Sequence, residues 1–357
     1  MDVAVIIPAY KPDMRLKRHV EALLASGFCK VVVVDDGSPA EFHPVFDSLA
    51  EIGRCTVLRH EANRGKGAAL KTGFAWVAES VPDVVGVVMC DADGQHRPEC
   101  CVAVAEAMLA GARGLYLGCR DFSSAGVPLR SRFGNFWISV FFWLLHGMWL
   151  GDTQTGLRAF RREDLEFMAS VPGDRFAYEM EMLCAASRSR LRMAKVHIET
   201  VYEPGNPTSH FSPISDSFVI CKVVFADFLR YAGVSISSFL LDQGLAWALH
   251  AALSAAGLSH GGAIWASGFA ARFASSVYNY FMNRAFVFRD RRSVMSSAWR
   301  YVLLCVAVIC ASNAAVTLLV KLGSPRGAAK LCADIALYLV CYAVQRRWVF
   351  SGEGKGA

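Results

Sequence analysis

The most constraining stretch of this chain is an apolar run that ends in two closely spaced carboxylates. Residues 84–90 are rich in valine and carry no charge, which is typical of a strand buried on both faces of a parallel sheet. Asp91 and Asp93 follow directly, and Pro98 can then begin a helix. Ligands of open α/β sheets bind at the carboxyl ends of strands, and two such carboxylates suit a divalent cation that keeps water and phosphate as further ligands. The alternative is that these aspartates only mark the start of a helix, where Asp is favoured. The neighbouring motifs distinguish the two interpretations.

Apolar runs and helical patterns alternate ahead of this strand. Strands are predicted at 3–7, 31–34 and 55–58, and helices at 14–26, 45–52 and 63–76. This alternation predicts an α/β fold with a doubly wound, mostly parallel sheet. Polar groups follow the strands, as Asp35 and Asp36 do after the second one, and an acid at that place suits the hydroxyls of a nucleoside.

Two common nucleotide-binding motifs are absent from the sequence. No G-x-G-x-x-G follows the first strand, which runs into Pro8-Ala9-Tyr10 instead, so NAD is not an expected ligand. The G-K-G at 65–67 lacks the spacing of a P-loop. Lys66 nevertheless stands at a glycine-rich helix start, where backbone N–H groups and a lysine can hold a diphosphate.

Four motifs, taken in order, resemble those of a known enzyme family. I-I-P-A-Y, V-V-D-D-G-S, N-R-G-K-G-A-A-L and D-A-D-G-Q-H are similar to the motifs of family 2 glycosyltransferases with the GT-A fold, and most of all to polyprenyl-phosphate sugar transferases of the dolichyl-phosphate mannose synthase type. The resemblance covers residues 1–230. It implies an inverting enzyme that moves a sugar to polyprenyl phosphate from a nucleotide-sugar, with UDP-glucose expected before GDP-mannose.

The same resemblance implies a set of site residues. A divalent metal, Mg or Mn, would be held by Asp91 and Asp93, with Asp93 as the direct ligand. The nucleotide-sugar would contact Pro8, Ala9, Tyr10, Asp35, Asp36, Lys66, Asp91, Ala92, Gln95, Arg120, Ser209 and His210.

The implied acceptor sets the charge that the site must supply. A lipid phosphate is already an anion, so it needs relief from repulsion by the donor diphosphate rather than a general base. Two unit charges about 4 Å apart repel by about 1 kcal/mol in water and by about 4 kcal/mol at an effective dielectric near 20. The cations expected to oppose this repulsion are Arg120, Arg130, Arg132, Arg158 and His210. The residues expected in catalysis are Asp93, Arg130, Arg132 and Asp152, the last from a D-T-Q-T-G-L-R segment that matches the family's pattern.

A run without Asp, Glu, Lys or Arg extends from 133 to 151 and is rich in aromatic residues. Its length alone would allow a membrane span. A single crossing would place Asp152 on the opposite side of the membrane from Asp93, whereas a helix in the plane of the interface avoids that. We therefore predict interfacial helices at 133–147 and at 213–230.

The rest of the chain is too apolar for an ordinary soluble enzyme. The whole sequence is 54% hydrophobic and 19% charged, and the apolar excess lies beyond residue 230. Four stretches there approach the roughly 20 residues that cross a bilayer. They are 234–256, 262–283, 299–320 and 328–345. Arginines concentrate between the second and third stretch, which predicts a multi-pass protein of the cytoplasmic membrane with the catalytic domain and both termini in the cytosol.

Other features of the sequence agree with that placement. No secretory signal is evident at the start, and the twelve cysteines show no C-x-x-C spacing, which favours a reducing compartment. The net charge of +6 comes from arginines beside apolar stretches, so it indicates anionic lipid rather than nucleic acid.

The membrane half contains an internal repeat. Residues 280–288 (YFMNRAFVF) match residues 342–350 (YAVQRRWVF), and both a duplication and two similar membrane anchors explain the match. Residues 231–350 resemble the four-span GtrA-like family, whose members are proposed to move or present lipid-linked sugars. Asp242 and Arg272 are predicted to pair, because an isolated charge within a span costs about 2.5–3.5 kcal/mol.

The leading interpretation is a GT-A domain, residues 1–230, tethered by an all-α domain of four transmembrane helices, residues 231–350. Its expected partners are a nucleotide-sugar, polyprenyl phosphate and the membrane, and a homo-oligomer is left open. A processive polysaccharide synthase is one alternative, although the Q-x-x-R-W motif typical of such enzymes does not occur. A flippase of lipid-linked sugars, with the transferase domain as an accessory, is the other.

Overall fold

The computed structural model describes residues 1–121, 129–199, 213–290 and 292–350, with 129–131 and 213–217 described by their backbone alone. The chain divides into two units, Met1–Val224 and Phe225–Ala357. The predicted division at residue 230 falls close to this boundary.

A seven-stranded sheet forms the core of the first unit. Its strands are β1 (Val3–Ala9), β2 (Lys30–Asp35), β3 (Cys55–Arg59), β4 (Gly86–Met89), β5 (Leu115–Arg120), β6 (Arg158–Arg161) and β7 (Met193–Ile198). They lie in the order β3-β2-β1-β4-β6-β5-β7. β6 runs antiparallel to both of its neighbours, and all other pairs are parallel. The expected doubly wound, mostly parallel sheet is confirmed.

The topology explains where a ligand can bind. The chain moves from β1 outward to β2 and β3, and then returns to place β4 on the other side of β1. This reversal opens a crevice at the carboxyl ends of β1 and β4, which is where open α/β sheets bind their ligands. Asp91 and Asp93 follow β4 and therefore lie at this crevice.

Helices cover both faces of the sheet. They are α1 (Arg15–Ala25), α2 (His43–Ala50), α3 (Lys66–Ser80), α4 (Pro98–Ala110), α5 (Leu129–His146), α6 (Leu165–Ser170) and α7 (Ala177–Arg188). α1 buries Leu16, Val20 and Leu23 at helical spacing, so its apolar face packs on the sheet. α3 approaches β1 closely at Gly73, where an added Cβ would lie 2.5 Å from Cγ2 of Ile6. Small residues are therefore required at that crossing.

The second unit is helical. α8 (Pro213–Ala255) continues into it from the first unit, and α9 (His260–Met282), α10 (Val294–Lys321) and α11 (Arg326–Val344) follow. Each of the four predicted apolar stretches coincides with one of these helices, and three of them extend one residue beyond its end. In the described part of the chain, Val294–Lys321 and Arg326–Val349 are long and apolar enough to cross a membrane, as judged by length and composition. Membrane crossing by each of the four stretches stays a prediction.

One prediction about the helices differs from the structure. The interfacial helix expected at 213–230 is continuous with the first apolar stretch, because α8 is a single helix of 43 residues. Pro213 stands at its first position, where proline is tolerated, and no proline follows before its end. Gly233 and Gly244 weaken a helix slightly but do not end it, so the sequence offers no break near residue 230.

The internal repeat is visible as reciprocal packing within the second unit. α9 and α11 each end in a π-helical turn, Asn283–Val287 and Gln345–Val349. The ring centroid of Phe288 lies 5.8 Å from that of Tyr342, and the equivalent pair in the other direction, Phe350 and Tyr280, also lies at 5.8 Å. Phe288 and Phe350 stack on each other at 5.0 Å. Two independent membrane anchors would not produce matched contacts of this kind, so the packing favours a duplication.

Each helix pair also contains a polar contact along its length. Arg272 lies 3.1 Å from Asp242, which confirms the predicted pair, and Ser275 donates a hydrogen bond to the same carboxylate. In the second pair, Ser312 donates to Asp334 at 3.1 Å.

Candidate active site

A cavity of about 820 Å³ lies at the carboxyl ends of the first unit's parallel strands. It combines backbone from the strand ends with charged side chains from β5, α3 and α7. Its lining consists of Pro8, Ala9, Tyr10, Asp36, Asn63, Gly65, Lys66, Asp91, Ala92, Asp93, Gln95, Arg120, Thr153, Gln154, Arg175, Phe176, Glu179, Met180 and Ile220. The structure thus brings together nine of the predicted nucleotide-sugar residues, together with Asp93.

Lys66 is the central cation of this cavity. Its ammonium group lies 2.5 Å from a carboxylate oxygen of Asp91 and 2.8 Å from one of Glu179. Although burial alone would lower the pKa of Lys66, these two carboxylates raise it, so the lysine is charged. Burial would likewise raise the pKa of Asp91, but Lys66 and its other cationic neighbours hold that pKa at about 2. Asp91 is therefore ionised and already compensated.

Asp93 lacks such compensation. Its one described hydrogen bond comes from the backbone N–H of Gln95, at 3.0 Å. Burial, followed by the negative charge of Asp91, raises the pKa of Asp93. Asp91 and Asp93 are neighbouring carboxylates, and Lys66 is shared between Asp91 and Glu179 of α7. The site therefore retains negative charge that a bound cation would neutralise.

The donor set fits a hard divalent cation. No group of three or more His, Cys, Asp or Glu side chains that could hold a metal occurs among the described residues. Magnesium in particular is commonly held by one or two carboxylates, with water and substrate phosphates as the remaining ligands. The pair of Asp91 and Asp93 meets that requirement.

Gly156 leaves the space that the carboxylate of Asp91 occupies. A Cβ added at Gly156 would lie 2.5 Å from Oδ2 of Asp91 and 2.9 Å from its Oδ1. No side chain fits at this place without moving the carboxylate. The glycine in the D-T-Q-T-G segment is therefore a requirement of the site.

Asp36 organises the loop that precedes Lys66. Its carboxylate is buried and accepts hydrogen bonds from the backbone N–H groups of Arg64 and Gly65, at 2.9 and 2.7 Å. His60 Nδ1 lies 2.8 Å from the same carboxylate. Asp36 thus borders the cavity while its polar atoms hold the 63–65 loop. Asp35 does not line the cavity, because it is buried and accepts the N–H of Ser38 instead.

Arg120 is held over the cavity by Asp152. Its Nε and Nη2 donate to the two carboxylate oxygens of Asp152 at 2.6 and 3.0 Å, which is the bidentate geometry of a strong ion pair. Asp152 has no exposed surface and does not line the cavity. Asp152, which the sequence analysis predicted to take part in catalysis, thus contacts Arg120 and is separated from the cavity by it.

Residues 4–167 match glycosyl transferase family 2, and residues 230–350 match the GtrA/DPMS transmembrane domain. An uncharacterized protein of Methanocaldococcus jannaschii is 30% identical over 230 residues, which cover 62% of this chain and 91% of the relative. The UDP-N-acetylglucosamine–dolichyl-phosphate N-acetylglucosaminyltransferase of Methanococcus voltae is 28% identical, covering 56% of this chain and 86% of the relative. The polyprenol monophosphomannose synthase of Mycolicibacterium smegmatis is 30% identical, covering 54% of this chain and 75% of the relative.

The chain belongs to glycosyl transferase family 2. Within it, the chain is a member of the polyprenyl-phosphate sugar transferases, and its first unit has the GT-A fold. Its second unit corresponds to a GtrA/DPMS transmembrane domain. The resemblance that the sequence motifs carried is confirmed.

Several predicted cations of this glycosyltransferase lie elsewhere. Arg158 is fully buried in β6, where its Nε donates to the carbonyl of Thr155 and its Nη1 to that of Glu179. Burial also lowers the pKa of Arg158. The expectation that Arg158 contacts a phosphate is therefore wrong, because its guanidinium group is buried and donates hydrogen bonds to backbone carbonyls instead.

Among the other predicted cations, Arg132 does not line the described cavity. Arg132 is exposed on α5. The side chain of Arg130, and the whole of Ser209 and His210, lie outside the described residues.

Arg175 and Glu179 are charged lining residues that the sequence analysis did not assign to the site, and Arg175 is the cation of the two. It lines the cavity, is exposed, and has no ion-pair partner among the described residues. The preceding residue is anchored, since the carbonyl of Asp174 accepts the N–H of Ala68 and its carboxylate pairs with Lys71 at 3.0 Å. The arginine directly before the F-A-Y-E-M-E segment was the available signal.

Proposed function

We propose that this protein is an inverting transferase that moves a sugar from a nucleotide-sugar to polyprenyl phosphate at the cytosolic face of the membrane. The observation that carries the proposal is the cavity itself. It combines an uncompensated carboxylate, Asp93, with two arginines, Arg120 and Arg175, around a charged lysine, Lys66. Such a site suits two phosphate-bearing substrates that bind next to each other, with a metal ion between their phosphates and the protein.

The donor is expected to occupy the β1–β2 side of the cavity. Pro8, Ala9, Tyr10 and Asp36 line that side, and Lys66 begins α3 beside the glycine-rich loop. Backbone N–H groups at a helix start attract phosphate. We propose UDP-glucose as the donor, with GDP-mannose as the alternative.

A divalent metal, Mg or Mn, would be held by Asp91 and Asp93, and when bound it would neutralise charge on the nucleotide diphosphate that departs. Lys66 keeps Asp91 ionised and in place, because it pairs with that carboxylate directly. Arg120 and Arg175 oppose the charge of the acceptor phosphate and of the donor diphosphate. The acceptor is already an anion, so no side chain needs to remove a proton, and the sugar centre develops oxocarbenium character as in other glycosyl transfers.

The acceptor requires the site to lie near lipid. α5 exposes large aromatic side chains to the surroundings, and the exposed fractions of Phe133, Trp137 and Trp143 are 67%, 42% and 46%. Aromatic rings of this kind favour the interface between water and bilayer. We propose that α5 lies in that interface, and that the helices from α8 to α11 anchor the enzyme with both termini in the cytosol.

A panel of labelled nucleotide-sugars tests the proposal. Membranes that contain the protein should form a butanol-extractable lipid-sugar from one member of the panel, with polyprenyl phosphate as the limiting substrate. Asp93→Ala should abolish the product, while Asp83→Ala, a change at an exposed acid away from the cavity, should leave it unchanged. Full activity of Asp93→Ala, or no lipid-linked product from any donor, contradicts the proposal.

The duplicated membrane unit supports a second function in the same pathway of transfer and export. Repeated helix pairs with polar contacts along their length are typical of carriers. Residues 225–350 would then move the lipid-linked sugar across the bilayer. Proteoliposomes loaded with fluorescent lipid-linked sugar would test this, because translocation should persist in Asp93→Ala if the membrane unit acts independently.

A further inference from the structure

Asn135 is a buried polar residue on a helix that otherwise presents an exposed surface nearby. It is 5% exposed, whereas Phe133 and Phe136 on either side of it are 67% and 51% exposed. A buried side-chain amide needs partners for both its donor and its acceptor. Asn135 finds them outside α5.

The partners of Asn135 belong to the loop after α5. Its Nδ2 donates to the carbonyl of Gly151, and its Oδ1 accepts the N–H of Thr153 at 3.2 Å and the hydroxyl of Thr153 at 3.3 Å. The amide therefore holds the loop on both sides of Asp152. No backbone hydrogen bond of a strand or helix performs this task for the loop, because residues 151–153 lie between α5 and β6.

Asp152 extends the connection to the cavity. Besides the two bonds from the guanidinium of Arg120, it accepts the backbone N–H of that residue at 3.3 Å and the N–H of Gln154 at 3.1 Å. The contacts thus run from α5 through Asn135 and Asp152 to Arg120, which lines the cavity. Asn135 holds the two chain neighbours of Asp152 by hydrogen bonds, and Asp152 in turn binds Arg120, so these contacts and the backbone of 151–153 connect α5 to Arg120.

We propose that Asn135 is a positioning residue that sets Arg120 for the acceptor phosphate and makes that setting depend on how α5 is seated on the bilayer. The inference rests on the proposed function, because it takes the acceptor to be a lipid phosphate and α5 to lie on lipid. The opposite faces of one helix turn then serve two purposes. The aromatic rings contact lipid, and the amide between them holds the loop that orients the arginine.

A double-mutant cycle on the full-length protein in nanodiscs tests the connection. Asn135→Ala should lower kcat/KM for polyprenyl phosphate by about tenfold while the KM for the donor stays near the wild-type value. In the Arg120→Ala background the same change should have almost no further effect, because residues that act through one another are not additive. Multiplying effects of the two changes would overturn the inference, since that result indicates a merely structural role.

A matched control lies one turn along the same buried face. Ser139 is 1% exposed, and its hydroxyl has no hydrogen-bond partner within the described residues. Ser139→Ala should leave kcat/KM within about twofold of wild type. A loss as large as that of Asn135→Ala would mean that any change on this face of α5 disturbs the enzyme. Asn135→Asp replaces the donor with an oxygen that faces the carbonyl of Gly151, so it should not restore the activity.

Hydrogen exchange of the backbone amides tests the same connection in the absence of the acceptor substrate. Asn135→Ala should speed the exchange of amides in residues 115–120 and 151–154, whereas Ser139→Ala should not. Unchanged exchange at 115–120 in Asn135→Ala would overturn the inference even if transfer to polyprenyl phosphate is observed. Absence of transfer by the wild-type enzyme would instead contradict the proposed function, and the exchange data would still decide whether α5 is coupled to Arg120.

Discussion

Gly156 lies against the carboxylate of Asp91, and this contact makes a sharp prediction at the scale of a single residue. Gly156→Ala places a Cβ 2.5 Å from Oδ2 of Asp91, so the carboxylate must move. A displacement of about 1 Å at a reacting centre can cost about 100-fold in rate. We expect kcat to fall by about that factor while the melting temperature changes little, as measured by transfer assays and thermal unfolding.

Gly151 provides the control for Gly156 in the same loop. A Cβ added there meets no atom of the described residues within 4 Å. Gly151→Ala should therefore retain activity within about threefold of wild type, since the added methyl group is unobstructed and the backbone carbonyl that accepts the hydrogen bond of Asn135 is kept. Equal losses in the two variants would show that the loop tolerates no alanine, and would remove the argument from Asp91.

Asp93 carries the prediction about metal. Chelation by EDTA should abolish transfer, and added Mg or Mn should restore it, because burial and the charge of Asp91 raise the pKa of Asp93 and a bound cation would neutralise the two carboxylates. Asp93→Asn should raise the metal concentration for half-maximal activity by at least about tenfold, a typical effect of weakening a metal site. Metal titrations followed by transfer and by direct binding would measure both effects. Full activity in EDTA would contradict the metal site.

Residues of the site differ in how far the sequence identifies them. Lys66, Asp91 and Asp93 were predictable because their motifs fix both residue type and place at a strand or helix end. Asp152 and Arg158 stand in an equally specific motif, yet both are fully buried. Sequence patterns do not distinguish a charged residue that contacts a ligand from a charged residue that holds a ligand-contacting residue in place. That distinction depends on side-chain packing, which only the structure supplies.

Secondary-structure elements were predicted best where hydrophobic patterns are strong. The first three strands and α1 lie within about two residues of their predicted bounds. The antiparallel β6 was missed because its four residues, Arg158–Arg161, include two arginines and show no apolar alternation. Its position in the sheet comes from pairing with β4 and β5, which are distant in sequence.

The pairing of α8 and α9 gives a prediction at the scale of elements. Asp242→Arg and Arg272→Asp should each lower the melting temperature in detergent, because each leaves two like charges where Arg272 now lies 3.1 Å from Asp242. The shift should be about 2–4 °C for each kcal/mol of lost interaction in a protein of this size. The double variant should recover part of the loss.

Recovery is expected to be partial for a specific reason. Ser275 donates a hydrogen bond to Asp242, and an arginine at position 242 cannot accept it. A double variant as unstable as either single one would show that the two charges do not depend on each other. Thermal unfolding followed by intrinsic fluorescence would measure all three variants.

The whole molecule joins an enzyme unit to a membrane unit, and the sequence predicted this division from hydropathy alone. Residues 1–230 should therefore transfer sugar to a short-chain, water-soluble polyprenyl phosphate at a rate near that of the full chain. Their transfer to a long-chain acceptor in vesicles should fall by about 100-fold, because tethering raises the effective concentration of enzyme at the bilayer. Parallel assays with both acceptors would measure the ratio.

The short-chain acceptor serves as the internal control for that truncation. If residues 1–230 lose both activities, the cut has damaged the enzyme unit, for which α8 supplies Ile220 to the cavity lining. If they keep both, the membrane unit has no part in presenting the acceptor. Only the second result would contradict the tethering argument, because the first shows damage to the enzyme unit.

The face-to-face stack of Phe288 and Phe350 indicates how the two helix pairs originated. Before a duplication joined them, a single pair could have formed this contact only with a second polypeptide, ring against identical ring. The gene fusion would have kept an old homodimer interface inside one chain. The side chains at positions 288 and 350 now pack against each other. An evolutionary change in the size of either side chain should therefore be accompanied by a compensating change in the size of the other.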